Sequence, residues 1–180
     1  MTDRLSAKDW LDQGLKTLTA RGFTALKADP LAKAMGVSRG SFYWHFADVE
    51  AFHAALLNHW RDVATERIIA ELETESRGGE ALARLIRRAF GARLKTEMAV
   101  RNWAAHEPLA RKVVASIDQR RLSYIVRLFE KSGSPPSRAQ ASAQVLYWAF
   151  LGFTLSERAI SRKQRQALID ELLRIATGSA

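Results

Sequence analysis

The sequence predicts an all-α chain, with an N-terminal three-helix, helix-turn-helix domain over residues 1–47 and a C-terminal helical domain over residues 48–180. Three observations support this. Apolar residues recur at i, i+3, i+4 and i+7 along most of the chain. Strand-like alternation of any length, internal repeats and low-complexity tracts are absent. Ala32 to Phe46, AKAMGVSRGSFYWHF, sets a glycine and a capping serine between two short helical patterns, as a tight helical turn requires.

The elements follow in order. Ser6 with Asp9 three residues on reads as a capping box, and Leu11, Gly14, Leu15 and Leu18 keep helical spacing until Gly22 ends the first helix. Phe23 and Leu26 close a small core against that stripe. Asp29-Pro30 predicts the second helix start, because an aspartate oxygen can cap free amides and proline at the first helical position loses nothing by lacking an N–H. Leu31, Ala32 and Met35 form its apolar face, and Gly36 stops it by taking left-handed backbone without a steric penalty. Val37 points inward, and Ser38 caps a third helix from Arg39 to about Phe46. Asp48 caps a fourth helix, carrying Phe52, Leu56, Trp60 and Val63, which runs toward a Gly78-Gly79 break and is expected to join the two domains.

Beyond that break, Leu82, Leu85, Ile86, Ala89 and Phe90 mark an amphipathic helix, followed by a shorter one from about Glu97 to Ala105. Pro108 opens a long helix with Val113, Ile117, Ile125, Leu128 and Phe129. Ser132 to Pro136 is the clearest loop. Ala143 to Leu155 is apolar nearly all round, so more than one side of that helix must be covered, beyond what one protomer supplies. Ser161 and Gln164 start the last helix as a capping box, with Leu168, Ile169, Leu172, Leu173 and Ile175 facing a partner.

On the third helix, about 100° of rotation per residue puts Phe42 and Phe46 inside, Gly40, Ser41 and Trp44 outside, and Tyr43 and His45 on the flanks. The outward face combines a glycine that permits close backbone approach, a hydroxyl and an indole N–H, with Arg39 at the helix start. That chemistry suits major-groove base edges and flanking phosphates. Ser38, Arg39, Gly40, Ser41, Tyr43, Trp44 and His45 are therefore the expected DNA contacts.

A net charge of +9 agrees with an anionic partner. Its distribution does not concentrate on the first helices: up to Arg61 there are eight Lys and Arg against six Asp and Glu. The remaining excess reads first as solvated surface, with an acidic ligand facing Arg87 or Arg88 as a further possibility. Without cysteine, neither disulfides nor thiolate chemistry can operate. The start, MTDRLSAKDW, lacks an apolar signal region, and the longest apolar run, Val145 to Phe153, falls short of the roughly 20 residues a membrane span needs. A cytoplasmic protein with no membrane partner is expected. His45, His53, His59 and His106 show neither His-Glu-x-x-His nor an i, i+4 pair, and Glu71, Glu73 and Glu75 sit in a solvated run. No catalytic residue, metal or cofactor, and no enzymatic activity, is therefore expected.

The N-terminal residues resemble the TetR family of transcriptional regulators. The resemblance rests on Leu31-Ala32, the Gly36-Val37-Ser38 turn, Arg39-Gly40, and the aromatic stretch Phe42-Tyr43-Trp44-His45-Phe46, and it is dense from about Ser6 to Leu57. Two positions depart from the family pattern. Lys27 stands where a threonine is usual and adds a cation for a phosphate, so it joins the expected DNA contacts; Val49 stands where a lysine is frequent and removes one. The resemblance implies a dimeric, ligand-responsive repressor of double-stranded operator DNA. It also implies a four-helix homodimer interface made by the last two helices, for which Leu151, Leu155, Leu168 and Leu172 are the candidates, and an effector cavity enclosed by the helices before them. Phe90, Met98, Trp103, Tyr124, Tyr147 and Trp148 are the candidates for contact with a small-molecule effector, although ordinary core packing would use the same residue types. The alternative is a helical scaffold or protein-interaction module whose helix-turn-helix no longer reads DNA.

Overall fold

Short-range capping chemistry sets the helix boundaries. In the computed structural model, which describes residues 5–75, 80–91, 94–156 and 160–177, Ser6 accepts from the Asp9 amide (3.3 Å) while Asp9 accepts from the Ser6 amide (2.8 Å). This box opens α1 (Ala7–Arg21). A 3-10 turn (Phe23–Ala25) leads to α2 (Ala28–Met35) and α3 (Arg39–Tyr43). The Asp48 carboxylate accepts from the Ala51 amide at 2.6 Å and opens α4 (Val49–Arg61), which continues through a π-helical turn (Asp62–Glu66) into α5 (Arg67–Glu75). The remaining helices are α6 (Glu80–Gly91), α7 (Lys95–His106), α8 (Pro108–Lys131), α9 (Pro136–Leu155) and α10 (Arg162–Thr177). No strand occurs among the described residues, and none of their helices is long and apolar enough to cross a membrane. The Gly78-Gly79 break lies outside the described residues.

Two expectations about helix ends need correction. Asp29 is not the cap of α2: the helix starts two residues earlier than expected, at Ala28, with the extended backbone of Lys27 as the cap and its carbonyl accepting from the Leu31 amide at 3.2 Å. Asp29 and Pro30 fall inside the first turn, where free amides make the proline equally harmless. The third helix is also shorter than expected, five residues ending at Tyr43. Beyond it, the His45 and Phe46 amides both bond to the Phe42 carbonyl, so the chain tightens into turns before Asp48.

Two compact units result. The first comprises the chain up to Thr65 together with Lys95–Ser116; the second comprises Glu66–Leu94 and Ile117 onward. Each is therefore discontinuous in sequence, and α8 contributes its first part to one unit and its remainder to the other.

In the first unit, Phe42 sits fully buried at the centre of an aromatic cluster, 5.3–5.4 Å by ring centroid from Trp10, Phe46 and Phe52. Gly14 lets α1 and α4 meet there, since a Cβ at that position would lie 2.8 Å from the Phe52 ring and 2.9 Å from Leu56. A glycine in mid-helix is thus explained by close helix approach. Helix α7 packs on α1, with Val100 and Trp103 buried, Thr96 sharing a hydroxyl hydrogen bond with Thr19 (3.0 Å), and buried Glu97 paired with Arg101 (2.9 Å).

The second unit is built on Leu82, Ile86, Phe90, Ile125, Leu128, Phe129, Ala139, Ala143, Leu146 and Ile169. Helix α9 contributes Ala143, Leu146, Tyr147 and Phe150 to this core. Its other face leaves Val145 (58% exposed), Trp148 (63%) and Leu155 (47%) in solvent, at the spacing of one helical stripe. The Ser161–Gln164 capping box forms as expected, in both directions, and starts α10.

Candidate nucleic-acid interface

The turn between α2 and α3 is fixed by backbone chemistry. Gly36 adopts φ +67°, ψ +28°, the left-handed region open to glycine, and this brings the Gly36 amide to the Lys33 carbonyl (3.3 Å) and the Val37 amide to the Ala32 carbonyl (3.0 Å). Leu31 and Ala32 are buried beneath it. Ser38 has the extended backbone of an N-cap and its carbonyl accepts from the Ser41 amide at 3.0 Å, but its hydroxyl makes no cap bond and stays exposed.

Buried Phe42 and Phe46 orient the rest of α3 and the turn after it. With those two rings inside, Arg39, Gly40, Tyr43 and Trp44 are exposed, Trp44 at 75%, and Ser41 and His45 are half-buried. Gly40 is not needed by the fold: its backbone is ordinary, and a Cβ there would meet nothing nearer than the Ser38 hydroxyl at 3.8 Å. A helical glycine costs about 0.5–1 kcal/mol relative to alanine. What this position offers is open space on the outward face.

Arg39 is pre-positioned. Its guanidinium lies over the Tyr43 ring (5.7 Å to the centroid), donates to the Tyr43 hydroxyl (3.3 Å) and lies 3.6 Å from the Asp29 carboxylate. That hydroxyl first, and Asp29 second, hold the Arg39 pKa above its ordinary value. Both carboxylate and guanidinium are largely exposed, so the ion pair is screened and weak. Sequence reading missed this pairing of Asp29, taking it for a cap; a carboxylate ten residues before an arginine across a turn carries no local signal. Lys27 is exposed at the start of α2, and Val49 is half-buried in the first turn of α4.

The structure divides the residues considered for an effector cavity. Met98 and Trp103 belong to the first unit, where Trp103 is buried and meets the His53 ring edge-on at 5.1 Å. Phe90, Tyr124 and Tyr147 are buried in the second, and Trp148 is exposed. Tyr147 donates to Asp118 (2.6 Å), whereas the Tyr124 hydroxyl is buried without a hydrogen-bond partner; burial, followed by the charge of Glu73, pushes its pKa up. Among the residues considered for dimer contacts, Leu155 is exposed and Leu151, Leu168 and Leu172 are half-buried.

The first unit thus carries a helix-turn-helix, α2 and α3 joined by the left-handed Gly36 turn. Residues 11–56 match the family described as bacterial regulatory proteins, tetR family. None of the curated proteins matches the chain. Solved structures are similar over nearly the whole length. One, described as a transcriptional regulator from Saccharomonospora viridis in complex with choline, aligns with TM-score 0.73 at 15% identity, covering 93% of this chain and 95% of that one. A second, described as a TetR-family transcriptional regulator from Rhodococcus sp., gives 0.71 at 19% identity, covering 95% and 98%. A third, reduced NemR from E. coli, gives 0.72 at 19% identity, covering 96% and 94%. At these identities the likeness is one of fold.

Proposed function

We propose that this chain is a homodimeric repressor that binds double-stranded operator DNA through α3 and is released by a small-molecule effector. The observation that carries the reading is the outward face of α3 and its following turn, where Arg39, Gly40, Tyr43 and Trp44 are exposed together and Gly40 leaves open space. Arg39, Ser41 and Trp44 supply donors for base edges. Lys27, Ser38, Tyr43 and His45 flank them with groups suited to phosphates.

The exposed stripe Val145, Trp148 and Leu155 on α9, with Ile175 exposed on α10, supports a dimer through these two helices. Large apolar side chains aligned in solvent mark a surface that association covers. The partnerless Tyr124 hydroxyl among buried apolar residues supports an effector in the second unit near Phe90 and Tyr147, since a buried polar group without a partner is costly and a ligand acceptor would satisfy it. The choline bound to the Saccharomonospora protein supports small organic molecules as the effector class.

Fluorescence anisotropy with DNA from upstream of the chain's own gene tests the α3 assignment. Arg39→Ala is expected to weaken binding by about 1–3 kcal/mol, as for a lost base contact. Tyr43→Phe removes the hydroxyl that accepts from Arg39 and should also weaken binding. Unchanged affinity in both variants, with normal melting, would overturn the assignment.

A further inference from the structure

Within the second unit, α6 and α10 flank a half-open cleft of about 480 Å³ lined by Arg87, Gly91, Arg162, Arg165, Gln166 and Ile169. We propose that this cleft binds the oxyanion group of a small anionic molecule, a carboxylate or a phosphate, on Arg87, Arg162 and Arg165. The proposal rests on this cleft alone and is independent of the DNA-binding reading.

The sequence spacing builds one wall. Arg162, Arg165, Gln166 and Ile169 stand at i, i+3, i+4 and i+7, so they share one face of α10, with buried Ile169 as its apolar end. Arg165 is half-buried and anchored, its Nη1 donating to the Gly91 carbonyl at 3.2 Å across the cleft, while its Nε is buried with no acceptor. Arg87 and Arg162 are exposed and have no carboxylate partner among the described residues. On the same helices Glu80 pairs with Arg84 and Glu171 with Arg174, while Asp170 accepts from the cleft-lining Gln166 Nε2 at 2.8 Å. Arg88, adjacent to Arg87 in sequence, pairs with Glu71. Of the two arginines that the sequence leaves equivalent, only Arg87 lines the cleft.

The charge arrangement opposes ordinary helix electrostatics. The first turn of α10 holds Arg162, Lys163 and Arg165 and no acid, although the positive end of a helix disfavours cations. Three guanidinium groups on one small cleft, one with an unsatisfied buried donor, form a cationic site that an oxyanion neutralises with bidentate hydrogen bonds. The volume lies within the range of small-molecule sites.

Isothermal titration of the full-length protein with citrate and with inorganic phosphate, at fixed ionic strength, tests this. The expected result is saturable binding of at least one probe, one per chain, weakened about tenfold or more by Arg87→Gln and by Arg162→Gln, as for loss of a charge-assisted contact. Both positions are exposed, so neither variant is expected to unfold. Arg138→Gln, an exposed position on α9 outside the cleft, makes the same charge change and should leave binding intact. Citrate binding identifies a carboxylate site and phosphate binding alone a phosphate site; either supports the proposal. No saturable binding of either probe, equal weakening by Arg138→Gln, or loss only with Arg39→Ala overturns it.

Discussion

Gly40→Ala separates what the fold needs from what the α3 surface is for. The added methyl would meet only the Ser38 hydroxyl, at 3.8 Å, which is ordinary van der Waals contact, and the backbone there is helical with no positive φ. Alanine in place of helical glycine stabilises by about 0.5–1 kcal/mol, and because α3 spans only five residues the lower figure applies. For a chain of this length that raises the melting midpoint by about 1–2 °C. On the proposed reading, the same methyl would occupy the space through which the helix approaches the groove. A steric cost of about 1.4 kcal/mol or more, tenfold in affinity, is expected. Thermal melts followed by circular dichroism and anisotropy titrations on operator DNA read the two effects, which have opposite signs. A lower melting midpoint would mean that the fold requires Gly40. Unchanged DNA affinity would mean that this face does not approach the duplex, and either result refutes the reasoning.

Three further outcomes follow. Val49→Lys restores a cation in the first turn of α4, so DNA binding should strengthen and the slope of log K against log salt should steepen by about 0.9; an unchanged slope places residue 49 away from the backbone. Trp148→Glu puts a charge on the exposed α9 stripe, where it disturbs no packing within the chain, and sedimentation should report a monomer. A persistent dimer would move the interface off α9. Asp12 has its pKa held below the ordinary 3.8, first by the Lys8 hydrogen bond and then, against some desolvation, by His59. A depressed carboxylate contributes stability that is present above 3.8 and fades as the pH falls through the lower folded value, so Asp12→Asn should flatten the acid limb of stability below about pH 4. An unaltered limb would show the pair to be inert.

Much of the fold was legible because its signals are local. Ser6, Asp48 and Ser161 each mark a helix start, Gly36 marks the turn, and the spacing of Phe42 and Phe46 identifies the buried side of α3. What escaped is non-local. Nothing in the spacing of Val100 and Trp103 says that α7 packs on α1, whose Thr19 lies 77 residues before its partner Thr96; apolar periodicity identifies a buried face and is silent on the partner. The same silence grouped Met98 and Trp103 with Phe90 and Tyr147, which lie in a different unit. Trp148 illustrates the complementary limit: α9 reads as apolar all round, and the sequence alone cannot tell its core face from the stripe that a single chain leaves exposed.

Footprinting of the purified protein on DNA from upstream of its own gene tests the central claim most directly. Two α3 helices related by a twofold axis enter successive major grooves only at about 34–36 Å, one helical turn, or at multiples of it. Two protected half-sites forming an inverted repeat with that spacing, abolished by Arg39→Ala, are the predicted result. Protection that is absent, or uniform along any DNA and insensitive to Arg39→Ala, would contradict the account and favour a helical interaction module.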